Sequence, residues 1–267
     1  MTTTSARIVS PSRAVVHDMS PAAFAFPVLD RKPGALGRRL AMLTGGRRPV
    51  ATYACGIAFA FASVAGLSIL AGLVVMHVLL HVHGIAHDDE AFVGFLARHR
   101  SRGLTDASLV ASIIAGGVVL PIVAGVGALV AASLRQWRLA AYLPFALGLE
   151  SGSYRVTTLA VHRHRPAVHR LERLDVNASF PSGHTAASIA IYGGVALLIS
   201  SRLASRNARI AIWALAFIVP LYVAFARMYR GMHHPLDIVG GAIVGIAALS
   251  AIVLVTRASG SAARARA

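Results

Sequence analysis

The chain has 267 residues, 56% of them hydrophobic and only 13% charged, and a net charge of +16. A water-soluble domain carries about 25% charged residues, so this composition excludes an ordinary soluble enzyme and makes the positive charge a membrane-topology signal rather than a nucleic-acid one. The single cysteine, Cys55, rules out an intramolecular disulfide.

Residues 1–50 lack the compact apolar segment of a secretory signal and are rich in Pro, Gly and Arg. They read as a disordered basic cytoplasmic tail. Six apolar stretches follow, near 53–80, 108–134, 139–161, 185–201, 209–226 and 236–256. Each approaches the roughly 17–25 residues that cross a bilayer as a helix. The expected fold is all-α: a six-transmembrane-helix bundle over 51–257, closed by a short cytoplasmic tail at 258–267. Between the first two spans, residues 88–100 place Phe92, Phe95 and Leu96 on one helical side, the pattern of a surface helix in the membrane interface.

With the N-terminus inside, sixteen of the 26 basic residues fall in cytoplasmic segments, and the loops on the other side carry most of the acids. The positive-inside rule therefore puts both termini in the cytoplasm. Nine arginines break that pattern, and six of them lie in two outer loops, 162–184 and 226–235. Arginines gathered on one membrane face suit an anion with several oxygens, since a planar guanidinium grips two at once. Solvation of a loop or contact with lipid headgroups explains charge but not spacing. Arg227 precedes His233 by six residues, and Asp237 follows it by four. A carboxylate one turn from a histidine accepts its ring N–H and fixes which nitrogen stays free.

Arg165-Pro166, then Pro181-Ser182-Gly183-His184, then Arg227, His233 and Asp237 together resemble the three-part signature of the type 2 phosphatidic acid phosphatase and vanadium haloperoxidase superfamily, in its membrane lipid phosphatase branch. The resemblance covers roughly residues 53–256 by motif order and span layout. It implies hydrolysis of a phosphate or diphosphate monoester on a membrane lipid: phosphatidic acid, phosphatidylglycerophosphate or a polyprenyl diphosphate. By the same resemblance His233 is the nucleophile that forms a phosphohistidine, Asp237 holds its ring, and His184 is the acid and then the base. Arg165, Ser182, Gly183 and Arg227 bind the phosphate.

The resemblance implies no metal or other cofactor, and His77, His81, His83 and His87 read as interfacial residues. The bilayer and a lipid phosphate are the partners, with no nucleic acid. The setting is a bacterial inner membrane, with the active site on the periplasmic or extracellular face. A lipid phosphotransferase on the same scaffold and a non-catalytic membrane protein with a degenerate site remain alternatives.

The usual lysine of the first motif is replaced by Thr158, and the usual serine before Arg227 by Ala226. Arg155, Thr158, His162 and Arg165 step at helical spacing, which predicts one stripe leading Arg155 toward the site. Pro166 is expected to end the third span directly after Arg165.

Overall fold

A computed structural model describes residues 26–30, 35, 38, 39, 42, 48–173 and 178–266. Most of the expected disordered tail lies outside these. Its described part includes one helical turn, α1 (Pro27–Asp30), whose Leu29 is buried in the cluster that contains Leu198 and Ile252.

The long helices are α2 (Pro49–His77), α3 (Ile85–Arg98), α4 (Arg102–Ile114), α5 (Val119–Ser133), α6 (Trp137–Ala160), α7 (Gly183–Ser200), α8 (Arg206–Tyr229) and α9 (Pro235–Arg266). Their starts follow local rules. Pro49 and Pro235 open α2 and α9, where the missing N–H costs nothing. Ser101 and Ser205 cap α4 and α8 by accepting from Leu104 N at 3.4 Å and Ala208 N at 3.3 Å.

The protein is an all-α integral membrane protein. Among the described residues, five helical stretches are long and apolar enough to cross a bilayer: Pro49–His81, Arg102–Ser133, Gly183–Ser200, Arg206–Tyr229 and Pro235–Arg264. The second is broken into α4 and α5 at Gly116-Gly117. The third expected span, α6, is not among these five; it has the length but carries Arg138, Glu150 and Arg155. Helix α9 runs on to Arg266, so residues 258–266 prolong the last helix.

Helices α2, α6 and α9 pack on one another, and α7 packs on α6 and α9; α8 builds outward from α7 and α4 from α8, and α5 packs on α6. Small residues set the contacts. The buried positions Gly56, Ala60, Val64, Ser68 and Gly72 recur every four residues on α2, while Phe59, Leu67 and Leu70 point outward. With lipid outside, large apolar groups gain nothing by going in, and close approach of backbones favours small ones. The tightest approach joins α9 to the start of α7. A Cβ on Gly241 would sit 2.5 Å from the Ser182 carbonyl oxygen, and one on Gly245 would sit 2.5 Å from that of Ala186. Those glycines bring Asp237 against the Ser182 segment, where Ser182 N donates to the Asp237 carbonyl at 2.9 Å.

Candidate active site

Three segments meet at one end of the bundle: 161–173 with 178–182, the turn 230–234 before α9, and the surface helix α3. Helix α6 ends at Ala160, five residues before Arg165, and the chain continues extended. Exposure then alternates with period two. Arg163 and Arg165 are buried, and His162 and His164 face out. This overturns the helical stripe: Arg155 is exposed while Thr158 is buried, its hydroxyl donating to the Arg155 carbonyl at 2.9 Å.

Arg165 ties the segments together, donating to the Met232 carbonyl at 2.5 Å and the Ala178 carbonyl at 2.8 Å. Its Nη1 lies 3.4 Å from His233 Nε2. His233 is 2% exposed, and its Nδ1 is 2.8 Å from the Ser179 carbonyl oxygen. A carbonyl only accepts, so Nδ1 carries the proton and Nε2 keeps its lone pair. Burial draws this imidazole down to about 4, with Arg165 and Arg227 pushing the same way and the Asp237 carboxylate opposing. His233 is therefore neutral at ordinary pH.

Asp237 does not hold the ring in the way its spacing suggested. Its Oδ2 is 3.7 Å from His233 Nδ1, beyond hydrogen-bond distance. His233 precedes the first residue of α9, so the four-residue spacing does not stack the two side chains as it would within a helix. The carboxylate accepts instead from Ser179 Oγ at 2.5 Å and from His234 N at 2.8 Å, and it pairs with Arg163.

Arg163 is the residue that motif reasoning passed over. It is buried between two carboxylates, Asp237 and Asp89. Asp89 belongs to α3 and also accepts from Leu236 N at 3.0 Å. Its neighbour Glu90 accepts from Ala167 N at 2.8 Å and lies 2.9 Å from His234 Nε2. Burial would lower the His234 pKa, but Asp237 and Glu90 outweigh it and raise it. The amphipathic helix thus folds its acidic edge into the site as well as lying on the surface.

Arg227 is fully buried. Its Nη1 donates to Ser112 Oγ at 3.0 Å and Glu172 Oε2 at 2.7 Å, while its Nε and Nη2 are buried with no hydrogen-bond partner among the described residues. Buried N–H donors left unmade are costly, and this pair suits an oxyanion ligand. Glu172 also takes Arg230 Nε at 2.6 Å. Burial would raise the Glu172 pKa, but the two arginines hold it at about 2.

His184 lies in the first turn of α7, within electrostatic reach of Arg227, His233, Glu172 and Arg165. Ser182 is its buried N-cap, with its hydroxyl 3.0 Å from Thr185 Oγ1. The Ser182 amide is engaged by Asp237, whereas the Gly183 and His184 amides occupy helix positions with no intrahelical acceptor. Of the seven residues singled out by sequence, Arg165 and Ser182 lie in the first of these segments and His233 in the turn before α9, while Gly183 and His184 open α7, Arg227 is in the last turn of α8 and Asp237 in the first turn of α9.

Residues 139–261 match the family model of the PAP2 superfamily. An undecaprenyl-diphosphatase, BcrC, of Bacillus subtilis (strain 168) is 37% identical over 93 residues, covering 33% of this chain and 43% of the relative. An undecaprenyl-diphosphatase of Sulfolobus acidocaldarius is 36% identical over 75 residues, covering 28% of this chain and 32% of the relative. The chain thus spans less than half the length of these curated relatives. The crystal structure of a transmembrane PAP2 type phosphatidylglycerolphosphate phosphatase from Bacillus subtilis superposes with a TM-score of 0.58 at 20% identity, over 77% of this chain and 94% of that one. That likeness is one of fold. The similarity to the PAP2 superfamily is thus carried by residues 139–261.

Proposed function

We propose that the protein is a membrane lipid phosphatase that hydrolyses a phosphate or diphosphate monoester through a phosphohistidine on His233. The observation that carries this reading is the arrangement around one nitrogen. The Ser179 carbonyl fixes His233 as the Nδ1–H tautomer, and Nε2 faces Arg165. Two unpartnered N–H groups of Arg227 belong to the same cluster.

His233 Nε2 attacks phosphorus, and the bond to the leaving oxygen breaks as His184 gives that oxygen a proton. Arg165, Arg227 and the Gly183 amide neutralise charge on the non-bridging oxygens. His184, now neutral, takes a proton from water as its oxygen attacks the phosphohistidine, releasing phosphate and regenerating His233. The Arg163 guanidinium between Asp237 and Asp89 holds the carboxylate beside the imidazole, where it stabilises the ring's positive charge in the intermediate.

Helix α6, third in chain order, completes a bundle of six transmembrane helices, with its Glu150 buried against its neighbours. Both termini face the cytoplasm and the site faces the periplasm or exterior, the arrangement the positive-inside count favours. The named activities of the relatives support a lipid phosphate as substrate. The test is phosphate release by purified protein in detergent from phosphatidic acid, phosphatidylglycerophosphate and polyprenyl diphosphates. Release from at least one is expected; none from any would overturn the assignment.

A further inference from the structure

The end of the bundle away from the active site holds a cavity of about 890 Å³. Its walls are α1, the start of α2, the turn from α5 into α6, and the far end of α9 at Ser259 and Ala263. From Leu139 in its lining to Ala160, where α6 stops at the site, the helix rises about 32 Å. That matches a hydrocarbon core of roughly 30 Å, so the cavity opens at the opposite membrane interface. Trp137 stands exposed on its rim, as interfacial tryptophans do. The positive-inside count puts this face in the cytoplasm.

Two chemistries meet in the cavity. Val50, Ile57 and Phe145 give it an apolar wall, and Val50 and Phe145 are exposed. Arg135 and Arg138 stand on either side of Trp137, and among the described lining residues none is acidic. The positive N-terminal end of α6 adds to the same wall. Arg135 has φ 57°, the left-handed region that glycine occupies more easily, so the turn holds a long cation at a conformational cost. Arg138 lies across Gly260 of α9, where a side chain would collide with its guanidinium.

Arginines above an apolar furrow match an amphiphile with an anionic head, and basic pockets between helices at a cytoplasmic face take anionic lipid headgroups. A free inorganic anion would leave the wall at Val50 and Phe145 in contact with water. A zwitterionic lipid would bring its own cation to the arginines. Residues 1–25 of the chain carry Arg7 and Arg13 against Asp18, so their charge has the sign of the wall.

We propose that this cavity binds one anionic phospholipid of the leaflet opposite the active site. Its phosphodiester lies at Arg135 and Arg138, and an acyl chain runs along Val50, Ile57 and Phe145. This lipid is a resident ligand rather than a substrate, and the proposal stands apart from the phosphatase reading.

The chain has two tryptophans, Trp137 and Trp213, so Trp213→Phe leaves Trp137 as the sole indole emitter, at the cavity itself. The full-length variant is placed in phosphatidylcholine vesicles with increasing brominated phosphatidylglycerol or, in a parallel series, brominated phosphatidylcholine, and quenching of Trp137 is followed. Half-quenching is expected at a mole fraction on the order of tenfold lower for phosphatidylglycerol. Arg135→Asn, which tolerates positive φ, and Arg138→Gln each reduce that preference roughly threefold, and together they bring the two curves into coincidence. Ala54→Phe fills the cavity without touching a charge and also removes the preference. A parent preference within about twofold overturns the proposal, as does a preference unchanged by the two arginine substitutions. A preference that survives Ala54→Phe overturns it too, since the arginines then attract headgroups at the surface alone. Each variant is first matched to the parent by size-exclusion; if the double variant does not fold, an unchanged preference in Arg135→Asn alone overturns the proposal.

Discussion

Arg163→Met removes a charge and five N–H donors while keeping most of the side chain's length. Arg163 and its two partners, Asp89 and Asp237, have side chains 5%, 4% and 0% exposed. The variant leaves two carboxylates facing a gap with no cation between them. Breaking a buried pair by removing one partner costs about 3–5 kcal/mol, because the remaining charge stays desolvated. Asp89→Asn leaves Arg163 with Asp237 and costs less, about 1–3 kcal/mol. The double variant removes the repulsion and is milder than the sum by roughly 1–3 kcal/mol. For a chain of this size Arg163→Met lowers the melting temperature on the order of 10 °C. The assay is thermal denaturation in detergent followed by size-exclusion, with phosphate release measured on the same samples. A melting temperature for Arg163→Met within about 2 °C of the parent, or a double variant as unstable as the sum, would refute the reasoning.

The two neighbouring histidines make opposite pH contributions. His233 has its pKa lowered from 6.5 to about 4, so its contribution to stability is present above 6.5 and is lost as pH falls toward 4; His233→Gln flattens the melting profile across that interval. His234 has its pKa raised, so its contribution is present below 6.5 and is lost as pH rises through the raised value; His234→Gln flattens the profile above 6.5. Glu172→Gln removes the carboxylate shared by Arg227 and Arg230, and kcat/KM falls roughly tenfold in phosphate-release assays. EDTA leaves activity unchanged, since the proposed steps use only this chain's own side chains; loss on chelation with recovery on adding a divalent metal would count against them.

His233, Arg165 and Arg227 were legible because short motifs carried them, and the membrane class because composition did. The ring's partner was misjudged for a geometric reason. The spacing of four between His233 and Asp237 means contact only inside a helix, and α9 begins at Pro235. Arg163 was hidden by the assumption that α6 continued to Pro166, although His-Arg-His-Arg has the period of an extended chain. Asp89 and Glu90 lie on the helix expected to rest in the membrane interface, and no motif marked them. Only the fold, by turning α3 back onto the turn before α9, shows them holding Arg163, His234 and Leu236 N. The division of the second span at Gly116-Gly117 was written in the sequence, but hydropathy alone runs across it.

The claim that His233 Nε2 is the nucleophile is tested most directly by trapping the intermediate. His184→Ala protein, slowed in its dephosphorylation, is mixed with substrate radiolabelled on the terminal phosphate, quenched in alkali and mapped. Alkali-stable, acid-labile label on the peptide containing His233, absent from His233→Ala protein that still folds in the membrane, is the predicted result. Label that persists in the His233→Ala background, or phosphate release at the parent rate from that variant, would contradict it.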